Sequence, residues 1–255
     1  MKRDVHVHLE RGGYTREWLD EFIGFAVSRG VDEVWFVDHS YLFPEFLPMY
    51  SGILGKNDYV DAWFERKAGK RSLDEYREFA GKMRAAELSV KVKFGLEVCY
   101  FPGSEELVRR NSGGFDFLVG SVHYVDGFAF DHTAELWDGV DVDEVYRRFF
   151  ELSVKLAECG VFDGLAHPDS IKLYGHAPTF GLEPYYDRLA LALASAGMYA
   201  EQNSGISRRT DAEVGMSAKL LRAMREHGVK VLTASDAHRP EDVGLGTMRL
   251  GTRRA

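Results

Sequence analysis

The sequence predicts an α/β barrel, on two observations. Seven short β-runs recur along the chain with helical segments interleaved and short turns between them, and no single glycine-rich dinucleotide turn marks the switch point of an open sheet. The first run, Asp4 to Leu9, holds β-branched and apolar residues around two histidines before Arg11-Gly12-Gly13 breaks it. Thr15 then caps a helix reaching Arg29, with Trp18, Leu19, Phe22, Ile23, Phe25 and Ala26 at three-to-four spacing, and Gly30 ends it. Glu33 to Val37 is near-continuously apolar, as a parallel strand covered on both faces should be. Leu73 to Leu88 reads as a helix feeding a strand at Val90 to Val98, and Phe115 to Val122 is the next strand. The long amphipathic stretch Val142 to Cys159 leads to a strand at Phe162 to Ala166. Pro184 to Ala196 leads likewise to Met198 to Gln202, and Gly215 to His227 leads to Lys230 to Thr233.

One region breaks this rhythm. Residues 41–69 hold Tyr41, Phe43, Phe46, Tyr50, Tyr59, Trp63 and Phe64 among prolines and glycines, too long for an ordinary connection and too aromatic for a floppy linker. They are expected either as a packed insertion over the barrel mouth or as a lid that shapes a substrate pocket. Otherwise residues 1–255 read as a single domain, since 255 residues at 45% apolar suffice for a large core and argue against disorder.

Thirty-two basic against 40 acidic residues give a formal charge of -8, which disfavours nucleic acid and anionic membranes as partners. Two cysteines, Cys99 and Cys159, exclude a disulfide framework and suit a reducing, cytoplasmic setting. The opening residues lack the apolar run of a secretory signal, and no stretch of roughly 18 apolar residues is present.

The nine histidines carry the chemistry. His6 and His8 close the first run, His39 the second, Glu97 the third, His123 the fourth and His167 the fifth, while Asp236-Ala237-His238 follows the last. A parallel barrel gathers the carboxyl ends of its strands around one mouth, so these residues should converge. On a strand, His-x-His points both imidazoles to one face, and Asp-x-His at 236 and 238 is expected to repeat that geometry. Glu97 supplies an oxygen able to bridge two cations. Imidazole with carboxylate and no thiolate suits zinc, manganese or iron. Clustered divalent ions bring a bridging water to hydroxide near neutral pH and offset charge on a transferring phosphoryl or acyl group, so hydrolysis is the expected reaction class.

The order His6-x-His8, Asp38-His39, Gly95-Leu96-Glu97, Gly120-Ser121-Val122-His123, Ala166-His167-Pro168 and Ser235-Asp236-Ala237-His238 resembles the PHP (polymerase and histidinol phosphatase) family. The stretches Gly-Leu-Glu-Val-Cys-Tyr-Phe-Pro-Gly, Gly-Ser-Val-His-Tyr and Ser-Asp-Ala-His-Arg-Pro-Glu-Asp-Val-Gly look most like its histidinol-phosphate phosphatase branch. The resemblance implies a distorted (β/α)7 TIM-like barrel with two or three divalent metal ions. By motif position, His6, His8, Glu97 and Asp236 would hold one ion, Glu97 with His123 and His167 a second, and His39 with His238 a third. The family's further histidine, six residues after the second His of the opening motif, is Tyr14 here. Glu10 is the nearest oxygen donor that could replace it; failing that, Glu10 is a loop carboxylate, and Tyr14 could line the pocket.

Substrate binding needs cations near the mouth. Arg208 and Arg209 follow a strand where similar arginines stand in the phosphatase branch, and either could grip phosphate in bidentate fashion. Lys172 and Arg11 are further candidates. His132 and His176 fall on loops as pocket candidates, and His227 at a helix end is most simply a dipole partner.

The implied activity is a metal-dependent phosphomonoesterase, with a metal-bridging hydroxide as nucleophile, Glu97 as bridge, and His39 or Asp236 protonating the leaving alcohol. The expected small phosphorylated substrate is L-histidinol phosphate, placing the enzyme in histidine biosynthesis. Two alternatives stay open: another small phosphate ester (a nucleotide or a phosphodiester), and a metal-binding module without turnover.

Overall fold

Seven apolar runs become seven parallel strands joined in sequence order, β1 (Arg3–His8), β2 (Glu33–His39), β3 (Lys91–Cys99), β4 (Phe117–Ser121), β5 (Gly164–Leu165), β6 (Tyr199–Asn203) and β7 (Lys230–Ala234). The computed structural model describes residues 1–210, 212–247 and Leu250. The ring closes through the segment after β7: His8 N donates to Ala237 O at 2.7 Å, and Asp236 N to His6 O at 2.9 Å. Lower down, Ser235 N donates to the Asp4 carboxylate at 2.7 Å. The expected barrel is therefore present, closed between β1 and β7 by a single bridge and side-chain bonds instead of a full ladder.

The helices sit where capping and periodicity place them. In α1 (Arg16–Ser28), Thr15 accepts from Trp18 N, and Leu19, Phe22, Ile23 and Ala26 are buried. Ser72 caps α3 (Leu73–Ala85), Asp141 caps α5 (Val142–Glu158) and Ser217 caps α7 (Ala218–Glu226). The helix α6 (Glu183–Ala196) stops at left-handed Gly197. Two helices stand outside the expected pattern: α2 (Asp58–Lys67), inside the 41–69 insertion, and α4 (Glu105–Asn111), between β3 and β4. The expected strand 162–166 pairs regularly only over Gly164–Leu165, although Asp163 and Ala166 still bond β4.

Inside the barrel, Val5, Trp35, Val37, Phe117, Val119, Tyr199 and Leu232 form a separate apolar plug. Gly164 makes room for it, because a Cβ there would lie 2.2 Å from the Tyr199 ring. Above the plug, β1 carries an irregularity: Asp4 pairs with Val34 and Val7 with Phe36, three steps against two. The extra residue shifts the alternation, so Val5 joins the plug while Val7 packs into the outer core, and His6 and His8 both turn into the mouth. Among the described residues no helix is long and apolar enough to cross a membrane.

The insertion is both packed and pocket-forming. Phe43, Phe46, Tyr50, Ile53, Val60 and Phe64 are buried in the outer core, while Tyr41, Tyr50, Tyr59 and Trp63 line the cavity at the barrel mouth.

Candidate metal centre

Glu97, near the end of β3, is the hub. Its Oε1 lies 3.0 Å from both His123 Nε2 and His167 Nε2, and its Oε2 lies 3.0 Å from His39 Nε2, 3.3 Å from His6 Nε2 and 3.4 Å from His8 Nε2. Asp236 Oδ1 adds a second carboxylate 3.5 Å from His8 Nε2 and 3.8 Å from His6 Nε2. The His8 ring is sandwiched between His39 and His238, with centroids 4.2 and 4.1 Å away.

Two of these side chains are set by left-handed backbone beyond a strand. β7 ends at Ala234, and Asp236 has left-handed backbone (φ 56°), so the expected Asp-x-His strand face is a turn. His167 likewise sits past β5 at φ 30°. Non-glycine residues rarely adopt such backbone, and both belong to the site. Gly205 lets Asp236 approach, since a Cβ there would stand 2.7 Å from Asp236 Oδ2.

Partners behind the imidazoles set their protons. Glu201, fully buried on β6, accepts from His6 Nδ1 at 2.9 Å, from His167 N at 3.3 Å and from Asn203 Nδ2 at 3.1 Å. Asp131 accepts from His123 Nδ1 at 2.6 Å. With the proton held at Nδ1, each Nε2 turns a lone pair toward Glu97, and acceptors facing acceptors in a dry site demand positive charge between them. The electrostatics make the same demand. Burial alone would strip the proton from His6, but Glu201 and Glu97 outweigh it and raise its pKa; Asp131 and Glu97 push His123 up to about 9 against the same opposition. Burial would neutralise Glu97, yet His39 and His6 hold it well below its usual range. His8, desolvated and beside His238 and His39, falls instead, to about 3, and burial also lowers His238.

Divalent ions would meet that demand. Nitrogen and oxygen donors about 2.0–2.2 Å from zinc stand roughly 3.3 Å apart in a tetrahedron, and the spacings around Glu97 run from 3.0 to 3.4 Å. Among the described residues three sets bring donor atoms within 4.8 Å of one another: His6, His8 and Glu97; His39, Glu97 and His123; and His8, Glu10, His39 and His238. Glu10 Oε2 is 2.6 Å from His39 Nδ1, and its Oε1 is 3.7 Å from His238 Nε2. Tyr14 lines neither this cavity nor its neighbour: its hydroxyl donates to Asp38 at 2.6 Å, and its ring stacks on Tyr76.

The site opens into a cavity of about 720 Å³ whose lining includes Arg11, Arg208 and Arg209. Arg208 Nη2 donates to Ser235 O at 2.8 Å and Asp236 O at 2.5 Å, leaving Nη1 buried and unpartnered. Arg209 donates to Asp131 O and, at 3.3 Å, to Tyr174 Oη. Lys172 stands apart from this cavity: its ammonium is bonded to Asp169 and Gly215 O, in a smaller cavity of about 80 Å³ shared by His123 and His167. His132 lines the main cavity, His176 stacks on Trp137 instead, and His227 ends α7 with Asp187 3.7 Å away.

Sequence reasoning missed Glu201 and Asp131. Glu201 sits in the middle of β6, inside a run with no histidine beside it to mark it. Asp131 lies in a loop, where no strand end marks it.

A PHP domain family model matches residues 4–205, a span holding His6, His8, His39, Glu97, His123, His167 and Glu201. The "Probable histidinol-phosphatase" of Deinococcus radiodurans is 28% identical over 252 residues, covering 95% of this chain and 88% of its own. The protein of the same name in Schizosaccharomyces pombe is 24% identical, covering 89% and 77%. Among solved structures, histidinol phosphate phosphatase from Lactococcus lactis, complexed with zinc, L-histidinol and phosphate, superposes with a TM-score of 0.69 at 17% identity over 99% of this chain and 94% of that one. At that identity the likeness speaks for the shared fold.

Proposed function

We propose that this chain, which belongs to the PHP domain family, is a metal-dependent phosphomonoesterase that hydrolyses L-histidinol phosphate to histidinol and phosphate. The observation that carries the reading is the divided carboxylate of Glu97, one oxygen among His6, His8 and His39 and the other between His123 and His167, at the floor of an arginine-bearing cavity. The Deinococcus and Schizosaccharomyces relatives support the substrate.

In this reading His6, His8, Glu97 and Asp236 hold one ion, Glu97, His123 and His167 a second, and His39, His238 and Glu10 a third. Zinc, manganese and iron all suit such donors. When bound, the ions would supply an activated water and offset charge on the phosphoryl group. The chain's own residues do the rest. Glu201 and Asp131 hold the Nδ1 protons of His6 and His123 and so aim the Nε2 atoms inward. Arg208, with one buried guanidinium nitrogen unspent, and Arg209 receive the non-bridging phosphate oxygens, and Arg11 adds positive charge to the lining. His39 or Asp236, both on the cavity wall, protonates the departing alcohol. The reading treats residues 1–255 as one catalytic domain serving histidine biosynthesis in the cytoplasm, a setting that two unpaired cysteines suit.

The test is Asp236→Asn. It should abolish phosphate release from L-histidinol phosphate while circular dichroism stays that of the parent; a fully active variant would remove Asp236 from the site.

A further inference from the structure

The arginines and the metal-ligand floor account for the phosphate end of a substrate, and they leave a second kind of surface in the same cavity unexplained. A band of rings starts at the metal ligands: His39 lies 5.0 Å from Tyr41, Tyr41 4.9 Å from Trp63, and Trp63 4.7 Å from His132, ring centre to ring centre. Tyr59 stands 6.1 Å from His132, and Tyr124 Oη is 3.2 Å from His132 Nε2. The band runs from half-buried His39 at the floor to exposed Tyr59 at the rim.

Core packing explains only part of it: Tyr41 and Trp63 touch the core on one side and line the cavity on the other. α2 buries Val60 and Phe64, which are enough to seat the helix on the insertion, while Tyr59 and Trp63, four residues apart and therefore on one face, line the cavity. An exposed tyrosine beside a half-buried tryptophan leaves ring area open to the cavity at its rim. Flat aromatic faces of this kind hold planar or cationic groups by stacking and cation–π attraction.

We propose that Tyr59 and Trp63, with Tyr41 and His132, bind a planar ring on the alcohol half of the phosphate ester, so that the insertion selects ring-bearing monoesters over those without a ring. The inference rests on the phosphomonoesterase reading above and names the residues that would recognise the imidazole of histidinol.

The experiment compares Trp63→Ala, Tyr59→Ala and Trp63→Phe with wild type on L-histidinol phosphate and on glycerol phosphate, which has no ring. For Trp63→Ala, KM for L-histidinol phosphate should rise about tenfold with kcat held, glycerol phosphate should be unaffected, and Trp63→Phe should restore most of the loss. Tyr59, being exposed, gives a variant that folds even if loss of Trp63 unsettles the insertion; it should show the same selective rise, smaller in size. Equal losses on both esters, or none on either, would overturn the proposal. A wild type that prefers glycerol phosphate to L-histidinol phosphate would refute the substrate reading instead. The same variants on p-nitrophenyl phosphate, whose ring owes nothing to histidinol, then decide the ring-binding role by the same selective or unselective loss.

Discussion

Replacing Glu201 by glutamine should weaken metal binding without touching any metal ligand. The carboxylate is fully buried and accepts from His6 Nδ1, His167 N and Asn203 Nδ2. An amide keeps only one acceptor oxygen. If that oxygen stays on His6, the new NH2 faces the His167 and Asn203 donors, and two buried donors lose their acceptor at about 1–3 kcal/mol each. If the amide flips, His6 loses the group that fixes its proton and ring, which for such outer partners of a metal-binding histidine costs about 10–100-fold in affinity, or about 1.4–2.7 kcal/mol. Competition against a chromophoric chelator measures the affinity, and urea unfolding of the metal-free protein measures the stability. Glu201→Gln should fall in both. A folded variant that binds zinc within twofold of wild type would refute the claim that Glu201 orients His6.

Three further outcomes follow from the same geometry. Glu10→Ala should lower the bound metal, counted by elemental analysis, by one ion relative to wild type, because Glu10 bridges His39 and His238; equal counts would leave Glu10 as a hydrogen-bond partner of His39 only. Metal uptake should release protons at neutral pH. Asp131 and Glu97, overcoming burial, push the pKa of His123 up to about 9, so a metal ion must expel that proton, affinity should climb with pH until about 9, and Asp131→Asn should flatten the climb. Calorimetry in two buffers of different ionisation enthalpy reads the release, and identical heats would count against it. Gly164→Ala should lower the urea midpoint by an amount worth about 1–3 kcal/mol, since its methyl would press on the Tyr199 ring 2.2 Å away; an unchanged midpoint would mean the barrel plug yields freely.

Most of the scaffold was legible because its signals are local. Thr15 and the three-to-four spacing of Leu19, Phe22, Ile23 and Ala26 act within one helix and read directly from the chain. The short α4, with Val108 its one buried residue, has too few turns to show a period, and α2 carries aromatic residues on both its core and cavity faces, which hides its amphipathicity. The metal-ligand candidates were legible because a parallel barrel converts strand ends into a shared location. What escaped depends on geometry that spacing does not encode. The irregularity in β1 that lets Val5 and His6 both face inward, the left-handed turn at Asp236, and the long-range bond from Asp131 to His123 arise only once the strands close. Tyr14 illustrates the limit from the other side. It occupies the position where the family carries a ligand, yet Tyr76 and Asp38 draw it into the core, and Glu10 reaches His39 in its stead.

The most direct test of the central claim is phosphate release from L-histidinol phosphate by purified protein reconstituted with zinc, manganese or iron, against a chelated control. The account predicts fast release that the chelator abolishes and the metal restores. Bound metal with no release from L-histidinol phosphate would contradict it.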